Sequence, residues 1–282
     1  MNYEQYVDTK RIEVKPSGFD PGALNPVLFP FQRDIVRWAI RRGKAALFED
    51  CGLGKSLQEW EFAQQVTLHT DRPVLILAPL SVNKQMVKEA PNFGYSINNA
   101  RSAAEIKLGI NVTNYEILHK FNPDALGGIV CDESSILKGG ALGKMSNDLV
   151  AFAKEIPYRL AATATPAPND LDELIFHAEF LGIMREAEIK ALFFTQDGNS
   201  SNKFRLKRNA VEKFYSWMAS WAVAMRRPSD LGYADDGFQL PPLNIEQMTV
   251  DIADPFSTGT LFGMEATGIA EQRAARKATI TD

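Results

Sequence analysis

Ala45-Ala46-Leu47-Phe48-Glu49-Asp50-Cys51-Gly52-Leu53-Gly54-Lys55-Ser56 is the stretch on which the reading of this chain turns. A short continuous apolar run, Ala45–Phe48, leads into a loop with two glycines, and Leu57, Trp60, Ala63 and Val66 then recur at helical spacing. The order is buried strand, tight loop, helix. Gly52 and Gly54 let the backbone N–H groups around Leu53 curl about an anion with no Cβ in the way. The start of the helix adds partial positive charge. In that frame Lys55 reaches the β- and γ-phosphates of a nucleotide and Ser56 ligates magnesium. The strict phosphate-loop pattern has another glycine where this chain has Glu49, so by itself the stretch also fits a chance glycine turn.

Further apolar runs stand at Val74–Ala78, Gly128–Cys131 and Tyr158–Ala162, and Ile110–Thr113 suggests another strand. Each is short, and helical patterns such as Gln32–Arg42 lie between most of them. This alternation predicts an α/β fold, a parallel sheet with helices on both faces. From Asp170 to about Met225 the chain reads as mainly helical, interrupted by the polar stretch Gln196–Asn202. Leu240-Pro241-Pro242 reads as a boundary, followed by a strand at Asn244–Ile252 and a helix at Leu261–Ala278.

Gly127-Gly128-Ile129-Val130-Cys131-Asp132-Glu133 is an apolar strand ending in two carboxylates. Ligands gather at the C-terminal edge of such a sheet. There Asp132 holds magnesium, and Glu133 orients and deprotonates the attacking water. An acidic pair alone fits equally a cap for the next helix; its pairing with Lys55-Ser56 favours catalysis.

The 282 residues carry a net charge of −4, which excludes a protein coated in basic surface but leaves room for a basic groove. Ser201–Asp230 has seven Lys or Arg, namely Lys203, Arg205, Lys207, Arg208, Lys213, Arg226 and Arg227, and suits a solvated helical face as well as a nucleic-acid track. Two cysteines give no disulfide framework, and three well-separated histidines argue against zinc. No apolar run approaches the roughly 20 residues that cross a bilayer, and Met1–Glu13 has no apolar signal segment. The expectation is a cytoplasmic protein without membrane partners.

These motifs resemble the N-terminal RecA-like lobe of superfamily two helicases, the Swi/Snf-like branch above all. That branch reads D-E-M-G-L-G-K-T at the phosphate loop, similar to Glu49–Ser56, with an acidic residue at the vacant glycine position. Leu28-Phe29-Pro30-Phe31-Gln32 resembles the element whose glutamine recognises adenine, which makes Gln32 the candidate for base selection. Leu75–Val82 and Val112–Glu116 resemble backbone-contacting motifs, implying nucleic-acid contacts at Pro79, Ser81, Thr113 and Asn114. Asp132-Glu133-Ser134-Ser135-Ile136-Leu137-Lys138 matches D-E-x-H-x-x-K except at Ser135. Arg159–Pro166, with Asn169 and Glu173, resembles the coupling motif, implying that Thr163 and Thr165 bond the acidic pair.

The resemblance covers about Pro26 to Pro242. It implies an extension at 1–25, a RecA-like P-loop lobe at 26–185, a helical extension completing it at 186–242, and at 243–282 a linker with the truncated start of a second lobe. A second lobe supplies arginines to the transferred phosphoryl group; Arg273 and Arg276 lack the expected glycine and preceding strand. The expected function is thus the lobe of a nucleic-acid-dependent ATPase that uses ATP and Mg2+. Its expected partner is double-stranded DNA, a preference that rests only on the Swi/Snf-like flavour of the motifs. A nucleotide-gated binding module without efficient turnover is the alternative, and a P-loop phosphotransferase for a small molecule a third reading.

Overall fold

Along the strand Ala45–Phe48 successive side chains point to opposite faces, and every one of them is apolar, so the strand needs cover on both sides. The computed structural model describes residues 14–135, 143–167, 173–196 and 204–239 and supplies that cover. Ala45 and Leu47 join one buried cluster; Ala46 and Phe48 join the other. Of the chain's two compact units, Met1–Gln239 contains all the described residues. The expectations for Ile136–Lys138, Asn169, Lys203 and everything from Leu240 to Asp282 lie outside them.

In chain order the elements are α1 (Pro30–Arg42), β1 (Lys44–Glu49), α2 (Lys55–Thr70), β2 (Val74–Leu77), α3 (Leu80–Glu89), β3 (Ile97–Asn99), β4 (Ile110–Thr113) and β5 (Gly128–Cys131). They continue with α4 (Lys144–Ala153), β6 (Tyr158–Thr163), α5 (Glu173–Phe180), α6 (Glu186–Phe193), β7 (Phe194–Gln196), β8 (Phe204–Leu206), α7 (Val211–Ala219) and β9 (Ala222–Met225). Seven strands form one sheet in the order β3-β4-β2-β5-β6-β1-β9, and every pairing in it is parallel. The α/β fold with a covered parallel sheet is therefore the observed one.

Side chains of α1, α2 and α3, among them Phe31, Ile35, Trp60, Phe62 and Met86, fill one face. Leu149, Ile175, Phe180, Phe193, Phe214, Trp217 and Trp221 fill the other, which α4 to α7 cover. Val14–Asn25 is tied to the helices of the first face. Ser17 and Gly18 donate to the carbonyls of Arg42 and Arg41, and Gly22 donates to the Gln65 side chain at 3.2 Å.

The region read as mainly helical needs a correction. It holds α5, α6 and α7, but also the antiparallel pair β7–β8 and the edge strand β9. β9 aligns with β1, Glu49 opposite Met225, and the Asp50 N–H donates to the Met225 carbonyl at 3.0 Å. Strand pairing wins because the unpaired edge of β1 offers a row of buried N–H and C=O groups that need partners.

Candidate active site

Because the sheet is parallel, β1, β5 and β6 all end at one edge. β6 lies between the other two, with Phe48 opposite Thr163 and Cys131 opposite Ala161. Two inter-strand steps, roughly 10 Å, separate the strand that opens into the glycine loop from the strand that ends in the acidic pair.

The loop itself is held by backbone conformation. Gly52 (φ 83°) and Gly54 (φ 76°) both occupy the left-handed region, and Gly54 caps the start of α2. A Cβ at Gly54 would collide with the side-chain amide of Gln32. That amide is buried under the loop: Gln32 Nε2 donates to the Leu53 carbonyl at 2.8 Å, and its Oε1 accepts from the Phe29 N–H at 2.9 Å. Gln32 thus braces the loop, and would have to exchange one of these bonds to meet a base edge. Lys55 Nζ donates to the carbonyls of Glu49 (2.9 Å) and Asp50 (3.1 Å), so the ammonium lies across the mouth of the loop. Ser56 follows it, half-buried, on the first turn of α2.

Across the edge, Asp132 is buried, with its N–H bonded to the Leu77 carbonyl at 2.9 Å. Tyr115 donates its hydroxyl to the Asp132 carbonyl at 2.5 Å. Burial, then the neighbouring charge of Glu133, pushes the Asp132 carboxyl above its ordinary range, while Lys55 draws it down. Glu133 is exposed and has φ 51°, a left-handed conformation that costs a non-glycine residue about 1 to 2 kcal/mol. The charge of Lys55 thus reaches Asp132 across the edge.

Glu59 was not foreseen. One helical turn beyond Lys55 it shares that residue's face of α2, a spacing visible in the sequence. It is wholly buried, and neither oxygen meets a donor from elsewhere; a proton shared with the Asp132 carboxyl is the bond it can make. Burial first, then the charge of Asp132, raises its pKa well above normal. His177, fully buried on α5, was also missed: its Nε2 lies 3.1 Å from Ser134 Oγ. No local pattern marks it, because the contact joins residues far apart in the chain.

Other expected residues fall less simply. Thr163 Oγ1 accepts from the Thr165 N–H at 3.1 Å, so its hydroxyl folds its own turn instead of meeting the acidic pair. Thr165, with Phe48, Pro166, Leu174 and Met218, lines a largely apolar cavity of about 340 Å³. Of the four candidate nucleic-acid contacts, Ser81 is exposed and Pro79 and Asn114 half-buried, but Thr113 is only 1% exposed, because β4 is covered on both faces. Asn114 also donates to Glu116. Cys51 is exposed, whereas Cys131 is buried. In the basic run, Lys207 Nζ binds the Ala191 and Leu192 carbonyls at the end of α6, while Arg205, Arg208, Lys213, Arg226 and Arg227 are exposed. No helix among the described residues is long and apolar enough to cross a membrane.

The donor set fits a nucleotide-borne magnesium better than a resident metal. Among the described residues no group of three or more His, Cys, Asp or Glu could hold an ion. Mg2+ is usually held by one or two carboxylates together with substrate phosphates, and Asp132 with the Ser56 hydroxyl matches that need.

Glu49, at the end of β1, carries a measurable consequence. It is buried and accepts from Gln58 Nε2 at 2.7 Å, and burial raises its pKa from 4.5 to about 7 against the pull of Gln58 and Lys55. The folded state thus holds a proton that the unfolded state releases, so stability falls as pH rises from 4.5 to about 7. Glu49→Gln is expected to stabilise the chain at pH 8 by up to about 3 kcal/mol, with the gain vanishing near pH 4.5. Denaturant melts at both pH values check this; an equal effect at both would remove the assignment.

Comparison with known proteins places these features. No family model matches the chain. The sequence is 30% identical over 161 residues to the SWI/SNF-related matrix-associated actin-dependent regulator of chromatin subfamily A-like protein 1 of Xenopus laevis, covering 52% of this chain and 16% of that protein. It is 24% identical over 225 residues to the DNA annealing helicase and endonuclease ZRANB3 of Bos taurus, covering 73% and 20%. The chain thus spans a fifth or less of the length of these curated relatives. Its fold matches the SWI2/SNF2 ATPase core of Sulfolobus solfataricus in complex with dsDNA with a TM-score of 0.60 at 23% identity, covering 76% of this chain and 47% of that one. The described residues thus share the fold of a SWI2/SNF2 ATPase core, and the sequence resembles SWI/SNF-related proteins over about half of the chain.

Proposed function

We propose that this chain is the ATP-binding lobe of a DNA-dependent ATPase that couples hydrolysis to movement on duplex DNA. The observation that carries the reading is the shared sheet edge: β1, which opens into the glycine loop, and β5, which ends beside Asp132, both run parallel to β6 between them, and the charge of Lys55 reaches the buried Asp132 carboxyl. In this reading Gly52, Leu53 and Gly54 present N–H groups to the phosphates, Lys55 holds the β- and γ-phosphates, and Ser56 and Asp132 hold magnesium. The cation supplies charge neutralisation when bound; Glu133 orients and deprotonates water. Gln32 braces the loop and selects the base by exchanging one of its amide bonds. Thr163 and Thr165 relay the state of the phosphate edge to α5. Pro79, Ser81 and Asn114 face the nucleic-acid backbone. The DNA-directed names of the relatives and the dsDNA in the Sulfolobus complex support the choice of polymer. Full turnover requires arginines from a second RecA-like lobe.

Calorimetry with ATP–magnesium, followed by DNA binding at several salt concentrations, tests the reading. Heat on ATP–magnesium addition is expected. So is duplex binding that weakens with salt and changes when ATP is present, with slow turnover by the 282 residues alone. Absence of heat with ATP–magnesium would end the reading. Activation by a small acceptor rather than by DNA would favour a phosphotransferase.

A further inference from the structure

His177 touches β1 and the turn that follows β5, and stands on the helix that follows β6 in the chain. Its Nε2 lies 3.1 Å from the hydroxyl of Ser134, which directly follows Asp132 and Glu133. Its ring packs edge-on against Phe48, with centroids 5.1 Å apart and planes at 83°. Phe48 is the last apolar residue of β1 before Glu49 and the glycine loop. The helix that carries His177, α5, follows the turn made by Thr163 and Thr165, and its Leu174 lines the same cavity as Phe48 and Thr165.

Both partners of the bond are fully buried. A buried imidazole–hydroxyl bond is directional and is costly to break without replacement. The turn it anchors is a strained one: the left-handed Glu133 swings Ser134 inward, whereas the next residue, Ser135, is half-exposed and makes only a 3.5 Å contact to its own turn. A turn in a sparsely populated conformation persists when its surroundings over-determine it. Here Tyr115 holds the Asp132 carbonyl and His177 holds the Ser134 hydroxyl on the inner side.

We propose that His177 is a positioning residue for the acidic pair: its imidazole fixes the turn that carries Glu133 and transmits displacement of that turn to α5. This rests on the reading that nucleotide phosphates enter between the glycine loop and Asp132. Asp132, in holding the cation that accompanies the phosphates, would shift and carry Glu133 with it; the Ser134–His177 bond would convert that shift into a shift of α5. The ring's contact with Phe48 makes the same helix sensitive to the loop strand. Because the imidazole is fully buried and bonds the turn through Ser134 and not through Asp132 or the glycine loop, its loss is expected to leave nucleotide affinity nearly unchanged while uncoupling the helix.

The test uses the full chain and three variants. His177→Phe keeps a ring against Phe48 but removes the hydrogen bond. His177→Gln returns an amide nitrogen at similar reach. Ser134→Ala removes the same bond from the other partner with a smaller change of volume, and carries the test if His177→Phe does not fold. ATP–magnesium affinity is measured by calorimetry, and hydrogen exchange of residues 173–180 is followed with and without ATP–magnesium.

In the parent chain, nucleotide is expected to change exchange in α5. His177→Phe and Ser134→Ala should keep ATP–magnesium affinity within about threefold while losing at least half of the α5 response, and His177→Gln should restore most of it. The double variant should lose no more than either single one. An undiminished α5 response in both His177→Phe and Ser134→Ala, with nucleotide still bound, would overturn the proposal alone. A parent chain that binds no ATP–magnesium would overturn the nucleotide reading and this proposal with it.

Discussion

Glu133→Gln is expected to bind ATP–magnesium as tightly as the parent and, in a form that turns ATP over, to hydrolyse it about a thousandfold more slowly, within the range that a general base contributes. The geometry separates the two effects. Asp132 is buried and bonded into the sheet edge, whereas Glu133 is exposed on a left-handed turn and faces solvent. Glutamine matches glutamate in size, so the turn and Ser134 behind it should stay in place. It cannot take a proton from water. The charge of Glu133 also raises the pKa of Asp132, so its removal leaves Asp132 more readily ionised at neutral pH. Magnesium-dependent binding should therefore hold or strengthen slightly. Calorimetry and single-turnover hydrolysis with duplex DNA measure the two quantities. Weakened binding with hydrolysis lost in proportion would make Glu133 a structural residue.

How far such a site can be read from sequence depends on which contacts build it. β1, β2, β5 and β6 are legible because strands covered on both faces need unbroken apolar runs, and Ala45–Phe48, Val74–Ala78, Gly128–Cys131 and Tyr158–Ala162 are such runs. The two edge strands escaped notice. β3 reads Ile-Asn-Asn, and β9 is four residues lodged behind Trp217 and Trp221, whose spacing extends the helical pattern of α7. Lys55 with Ser56, and Asp132 with Glu133, could be found because loop and strand end are local motifs. The bracing of the loop by Gln32, the burial of Thr113 and the reach of His177 to Ser134 are set by packing between distant segments. No spacing rule contains them.

Lys55→Ala is expected to lower ATP–magnesium affinity at least about a hundredfold, since each hydrogen bond from a charged donor contributes roughly 1.5 to 3 kcal/mol. Lys55 also has a role without nucleotide. It is the cation that draws down the pKa of three carboxyls, those of Glu49, Glu59 and Asp132, each raised chiefly by burial. In its absence all three should hold their protons to higher pH. The loss of Asp132 charge would then compound the loss of phosphate contact. Lys55→Arg separates these roles. It keeps the charge beside the three acids, so its melting behaviour should stay near that of the parent. Its planar guanidinium, however, is a poor substitute for a compact ammonium that fits between the Glu49 and Asp50 carbonyls, so affinity should remain low. Affinity in Lys55→Ala within threefold of the parent would mean that the glycine loop does not hold the phosphates. The pull of Lys55 on the carboxyls of Glu49, Glu59 and Asp132 would then serve the fold, with no part in catalysis.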